Sequence, residues 1–322
     1  TSGEKEDPTV ASTSEFAEQE ESAGSDDETP SMKSETSSKG LLNRRNCLKA
    51  GAAMLAAGSS AFVGGVAAAT ERYGIQFSTV VDAVDDLGLD PNGNDPIDST
   101  LEDALASGDT LVEFPAGTYY FDGQLDFGSP DNWGIRGLGS SPSDVRFVTT
   151  PGEGRYLTKT NGGSGQLVEN VTFDYSAEDD GGLGIVLRGE DKIRVQDVEF
   201  VGFNPVHADG SKINVVPMAL DPNGRAVIDG LVRTGPTDIV SHGHLDGNSN
   251  DSCIWLGDRH EGELVIRNSH IENTGTNAVY ASRTSGTVHY ENCLFRNNNQ
   301  TSIRIGGGDG NQNTIQNCTF AA

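Results

Sequence analysis

One short pattern returns six times after residue 165, and it leaves this chain few ways to fold. The unit is an apolar residue, two polar ones with Asn or Asp second, then apolar-x-apolar. Its copies are Val168-Glu-Asn170-Val171-Thr-Phe173, Val195-Gln-Asp197-Val198-Glu-Phe200, Ile266-Arg-Asn268-Ser269-His-Ile271, Tyr290-Glu-Asn292-Cys293-Leu-Phe295 and Ile315-Gln-Asn317-Cys318-Thr-Phe320. A degenerate copy runs through Ile228-Asp-Gly230-Leu231. First positions at 168, 195, 228, 266, 290 and 315 give steps of 27, 33, 38, 24 and 25 residues. Strand-like alternation at such a period predicts one coil per repeat, stacked as an all-β parallel β-helix over 165–322. Equivalent side chains then pile up at about 4.8 Å, apolar ones inside. The recurring Asn belongs at a bend, where its amide can bond the copies above and below and satisfy turn backbone, so its role is structural. Cys293 and Cys318 share one stacked slot and read as small buried hydrophobes.

The stretch 70–164 should hold the start of the coil. Ser78 precedes the apolar-periodic run Thr79–Leu87, which predicts a short helix. Ser99-Thr-Leu101-Glu102 reads as a capping box for a second one, with Leu101, Ala104 and Leu105 on one face and Gly108 as the stop. Thr110–Phe114 alternates as a strand, and Pro115-Ala-Gly117-Thr-Tyr119 turns into another. This order resembles the opening of pectate-lyase-like right-handed β-helix proteins, which implies a helix plugging one end of the coil. Gly137-x-Gly139 belongs to the same tract and has no helix signal behind it, as a phosphate loop would need.

Charge describes the surroundings. The chain has 48 acidic and 22 basic residues, a net charge of −26, and only seven lysines. An acidic, lysine-poor, glycine-rich surface suits molar salt, where the Debye length is about 3 Å. It excludes a nucleic-acid partner, which needs clustered Lys and Arg. Residues 1–43, acidic and poor in large apolar side chains, cannot bury enough surface to order and are expected to be a disordered leader. In 44–69, Arg44-Arg45-Asn46-Cys47-Leu48-Lys49, a mild Ala/Gly-rich run and Ala67-Ala-Ala69 resemble a twin-arginine export signal. Cys47 stands where Phe is usual. Cleavage after Ala69 would leave a secreted or surface protein with no stable membrane insertion. Asn317–Ala322 is a rung strand with nothing after it, so either more chain is expected beyond it or another segment is expected to cover the end.

The longest step, between 228 and 266, contains an insertion rich in acid, base and metal-ligand types: His242, His244, Asp246 and Asp251. Just after it, Ile254-Trp255-Leu256-Gly257, Val279-Tyr280-Ala281-Ser282 and Ile303-Arg304-Ile305-Gly306 align at steps of 25 and 24. Trp255, Tyr280 and Arg304 should therefore form an outer stripe suited to stacking sugar rings and binding carboxylates. Asp258 should fall over Arg283 and pair with it. His207-Ala-Asp209-Gly210, Asn250-Asp251-Ser252-Cys253-Ile254 and Ser241-His242-Gly243-His244 resemble motifs of polygalacturonase-like hydrolases. Their order differs, Ser252 replaces an Asp and His207 an Asn, so the paired carboxylates of that chemistry do not carry over.

The tracts Ile271–Gly286 and Phe295–Asn299 resemble exported haloarchaeal right-handed β-helix proteins over most of 74–322, which implies fold and habitat and no particular reaction. The function expected is thus an extracellular polysaccharide-interacting β-helix. Lyase or hydrolase chemistry would fall to His244, Asp246, Asp251 and Arg283, with Trp255, Tyr280 and Arg304 on the substrate and Asp246, Asp251 and Asp258 on a Ca²⁺ ion. The alternative is a non-catalytic surface or adhesion module.

Overall fold

Short strands that are apolar at every second residue can bury that side only against further copies of themselves. The computed structural model describes residues 69–177, 181–204, 212–237, 252–306 and 312–322, and there the chain solves this problem as a parallel β-helix of three faces. The first face runs from Thr79–Asp82 and Thr110–Phe114 through Trp133–Gly137 to Arg225–Asp229, Glu263–Arg267, Thr287–Glu291 and Thr314–Gln316. The second includes Gly117–Phe121, Val145–Thr149, His270–Glu272, Leu294–Arg296 and Thr319–Ala321. Two long strands, Gln166–Tyr175 and Ile193–Gly202, bend through both. The third is a separate sheet of Arg155–Lys159, Leu183–Gly189, Val215–Ala219, Ile254–Trp255, Asn277–Ala281 and Thr301–Ile305.

The bend between the first two faces explains the repeated Asn. Asn170, Asp197, Asn268, Asn292 and Asn317 all have φ between 50° and 54°, and Gly230 has 77°. Only Gly, Asn and Asp enter this left-handed region cheaply, since their backbone bears no bulky side chain or their short polar one bonds locally. The Asn170 amide donates to the carbonyls of Gly137 (3.0 Å) and Gly139 (2.8 Å). A Cβ on Gly137 would stand 2.1 Å from the Asn170 carbonyl oxygen, which is why that tract carries glycine. The amide ladder is real but local: Asn292 reaches Asn268 at 3.5 Å, and at a second bend Asn297 donates to Asn273 at 2.6 Å.

Inside, the pairing is in register from coil to coil. Val112, Ile135, Val168, Val195, Ile228, Ile266 and Tyr290 form one column on the first face, each at most 1% exposed. On the second face Phe147, Phe173 and Phe200 stack, with the last two rings 4.8 Å apart at 10°. Phe295 and Phe320 resume this column at 5.4 Å. Between them the same slot is held by Arg233 and Ile271.

The start of the coil differs from expectation. Thr79–Asp82 is a strand paired with Thr110–Glu113, and only a turn follows over 83–87. The β-branched pair Val80 and Val81 with a parallel partner alongside outweighs the helical spacing. The second expected helix forms as Asp98–Leu105, with Leu101 and Leu105 in the core, yet Ile97 is its N-cap and Ser99 caps nothing. Asp98 instead accepts the backbone N–H groups of Asp122 (2.9 Å) and Gly123 (2.6 Å), and Glu102 that of Asp126 (2.6 Å). The helix thus satisfies edge donors of the next coil.

A feature with no counterpart in the sequence reading is an antiparallel hairpin of Thr70–Arg72 and Ile75–Phe77. Ile75 and Phe77 bury Leu111 and Leu167 on the outside of the first face. Gly134 makes room for them: a Cβ there would lie 3.2 Å from the Phe77 ring. Arg72 pairs with Glu169, Tyr73 donates to the same carboxylate (3.1 Å), and Arg194 lies over the Tyr73 ring at 4.4 Å.

Candidate functional site

The third face carries the expected stripe, because its strands keep register across coils of 25 and then 24 residues. Trp255 pairs with Tyr280 and Tyr280 with Arg304, while Ile254, Val279 and Ile303 turn inward beside them. The Arg304 guanidinium carbon sits 4.7 Å from the centre of the Tyr280 ring, a cation–π contact. A Cβ on Gly257 would come within 2.6 Å of the Trp255 ring and 3.4 Å of the Met218 methyl group. Glycine at 257 therefore seats the indole against the strand.

Exposure corrects one part of the expectation. Arg304 is exposed and Trp255 half-buried, but Tyr280 is only 8% exposed. With the guanidinium stacked on its ring, the phenol is the filling of the stripe rather than a platform. What a ligand can touch is the indole at one end and the Arg304 donors at the other.

His242, His244, Asp246 and Asp251 lie outside the described residues, as do His207 and Asp209. Asp258 and Arg283 are both exposed. They stand on turns after the strands, where the register that aligns Trp255 with Tyr280 no longer constrains side chains. Of the carboxylates expected to hold Ca²⁺, only Asp258 is described, and among the described residues no three His, Cys, Asp or Glu side chains gather closely enough to hold a metal.

Two buried polar groups flank this face. His260 is fully buried in the turn after Ile254–Trp255. Its Nδ1 accepts the Ala219 N–H at 3.1 Å, and Nε2 lies 3.5 Å from the Thr287 carbonyl. Burial pushes its pKa down to about 4, so the ring is neutral near pH 7. Arg233, 1% exposed, points into the coil. It donates to the carbonyls of Gly235 and Glu272, both at 2.7 Å, and to the Thr237 hydroxyl at 2.6 Å. It therefore ties the stem that leads into the insertion to the following coil. Reading the degenerate copy two residues further, through Leu231-Val-Arg233, places this guanidinium in the Phe slot. The signal was present in the repeat.

Outside the first face, charges alternate along a second ladder. Arg136 contacts Glu113 (2.7 Å) and Glu169 (3.7 Å), and Asp229 lies between Arg194 (2.9 Å) and Arg267 (2.8 Å). Burial opposes the charge on Asp229, but Asn268, Arg267 and Arg194 together hold its carboxyl below the usual range. These groups neutralise one another.

Compared with known families, residues 159–320, half of the chain, match the family described as right-handed β-helix region. No curated protein and no solved structure matches the chain.

Proposed function

The chain belongs to the right-handed β-helix family, and from that premise we propose that it is an exported, salt-adapted protein that binds acidic polysaccharide at the Trp255–Arg304 end of its third face, where the outer side chains reach solvent. The observation that carries this reading is the in-register column of Trp255, Tyr280 and Arg304, with the guanidinium stacked on the phenol. A sugar ring can lie on the half-buried indole, and the exposed Arg304 offers paired N–H donors to a uronate carboxylate. Tyr280 holds the guanidinium flat, so little rotamer freedom is lost when it binds.

The test is a binding isotherm with an acidic polysaccharide in high salt, paired with a thermal melt. Arg304→Ala and Trp255→Ala should each weaken binding on the order of tenfold, about 1.4 kcal/mol, while the coil still melts cooperatively. Wild-type affinity in both would sink the reading. The same incubation, with and without Ca²⁺, distinguishes a lyase (unsaturated ends) and a hydrolase (new reducing ends alone) from a non-catalytic adhesion module. Asp251→Asn should abolish any turnover and leave binding intact. Export is tested separately: Arg44 and Arg45 changed to Lys should hold the protein in the cytoplasm, and normal secretion would reject the twin-arginine route.

A further inference from the structure

We propose that Cys293 and Cys318 are a disulfide-forming pair, a covalent staple across two successive coils at the inner edge of the bend.

Both thiols are free in the structure. Their neighbours Leu294 and Thr319 are register partners, and the Thr319 N–H donates to the Cys293 carbonyl at 2.8 Å, so the two cysteines face one another on adjacent parallel strands. Adjacent strands lie about 4.8 Å apart, inside the range of about 4.4–6.8 Å for the Cα atoms of a disulfide. Direction matters as much as distance. Each cysteine follows a left-handed Asn, Asn292 at φ 54° and Asn317 at φ 52°. Each Sγ also lies 3.3 Å from the carbonyl two residues before it, Glu291 or Gln316. The two side chains therefore leave matching backbones in the same orientation and their sulfurs stack. Bridging needs the Cβ atoms to close by roughly half an ångström.

The two thiols differ in reach. Cys293 is 2% exposed, and burial pushes its pKa up to about 12, while Cys318 is half-exposed. With oxidised glutathione as the oxidant, the Cys318 thiol gives its proton to water and attacks one glutathione sulfur. The glutathione S–S bond breaks and one glutathione leaves as a thiolate. Cys293 then gives its proton to solvent and attacks the Cys318 sulfur. The Cys293–Cys318 bond forms and the second glutathione leaves. The protein thiols lose two electrons, which the oxidant takes up as two thiols. Burial of Cys293 makes the second step slow and hastened by raising the pH.

The experiment uses the whole chain, incubated with oxidised glutathione in high salt, alkylated, and digested with trypsin. The expected product links Thr284–Arg296 to the peptide that starts at Ile305, and both peptides lose their alkylation sites together. Cys253, fully buried, should stay reduced. Cys318→Ser should abolish the link and Cys253→Ser should leave it unchanged. Closing the bridge should raise the melting temperature by about 5 °C. A stable glutathione adduct on Cys318 with Cys293 still free to alkylate would overturn the proposal, as would a link that used Cys47 or Cys253 instead.

Discussion

The outsides of the first and third faces show how differently one coil can treat two surfaces. Both faces have the same kind of interior, columns of Val, Ile and Leu in register. On the outside of the first face, Glu113, Arg136, Glu169, Asp229 and Arg267 neutralise each other from coil to coil. On the outside of the third, Val186, Val216 and Met218 are at most 2% exposed, and the strands Leu183–Gly189, Val215–Ala219 and Asn277–Ala281 are buried at every residue. A sheet covered on both sides reads as a continuous apolar run, and one that meets water alternates. The interior of a β-helix thus sets its pitch, while the outer columns are free to specialise.

The sharpest way to break this contrast is to place a charge on each face. Val216→Glu should cost about 3–5 kcal/mol, because a carboxylate would be buried among apolar groups. Val227→Glu, half-buried on the first face beside Arg194, should cost under about 1 kcal/mol. Equal losses in melting temperature would mean that the two outsides are not distinct.

Acid should separate the faces in a second way. His260, at the turn of the third face, has a folded pKa near 4 against 6.5 unfolded. The unfolded chain therefore binds more protons between those values, and stability present above pH 6.5 should fall as pH drops toward 4. The loss should approach about 3 kcal/mol. The pKa of Asp229 on the first face is lowered too, but for an acid this means that its contribution is kept until pH falls below the ordinary carboxylate value of about 4. Denaturant unfolding of wild type and His260→Gln across pH 4 to 7 tests this; an unchanged slope in the variant would assign the acid sensitivity elsewhere.

The smallest effect belongs to the charge ladder. Arg136→Ala should cost no more than about 1 kcal/mol in low salt, and the cost should shrink in molar salt. A large loss that ignores salt would show that the arginine stem, not its charge, supports this face.

These faces were not equally legible in the sequence. The bend was, because the left-handed backbone at 170, 197, 268, 292 and 317 favours Asn, Asp or Gly whatever the packing around it. The stripe was also legible, since strand register is fixed by period. Its exposure was not: whether Tyr280 meets water depends on where the Arg304 guanidinium folds, and no spacing encodes that. The hairpin Thr70–Phe77 has only two buried apolar anchors, Ile75 and Phe77, and its partners lie more than 30 residues away. At Thr79–Asp82 helical periodicity and a β-branched pair coincide over so short a run that spacing alone does not separate helix from strand.

The helix Asp98–Leu105 has a consequence for assembly. Parallel β-coils grow by offering one row of backbone donors and acceptors to the next strand, the step by which fibrils are templated. At the start of this coil, Asp98 and Glu102 already occupy the donors of Asp122, Gly123 and Asp126, and they do so with carboxylates that no incoming strand can extend. An incoming strand would find those three donors already taken, which makes that row a poor template.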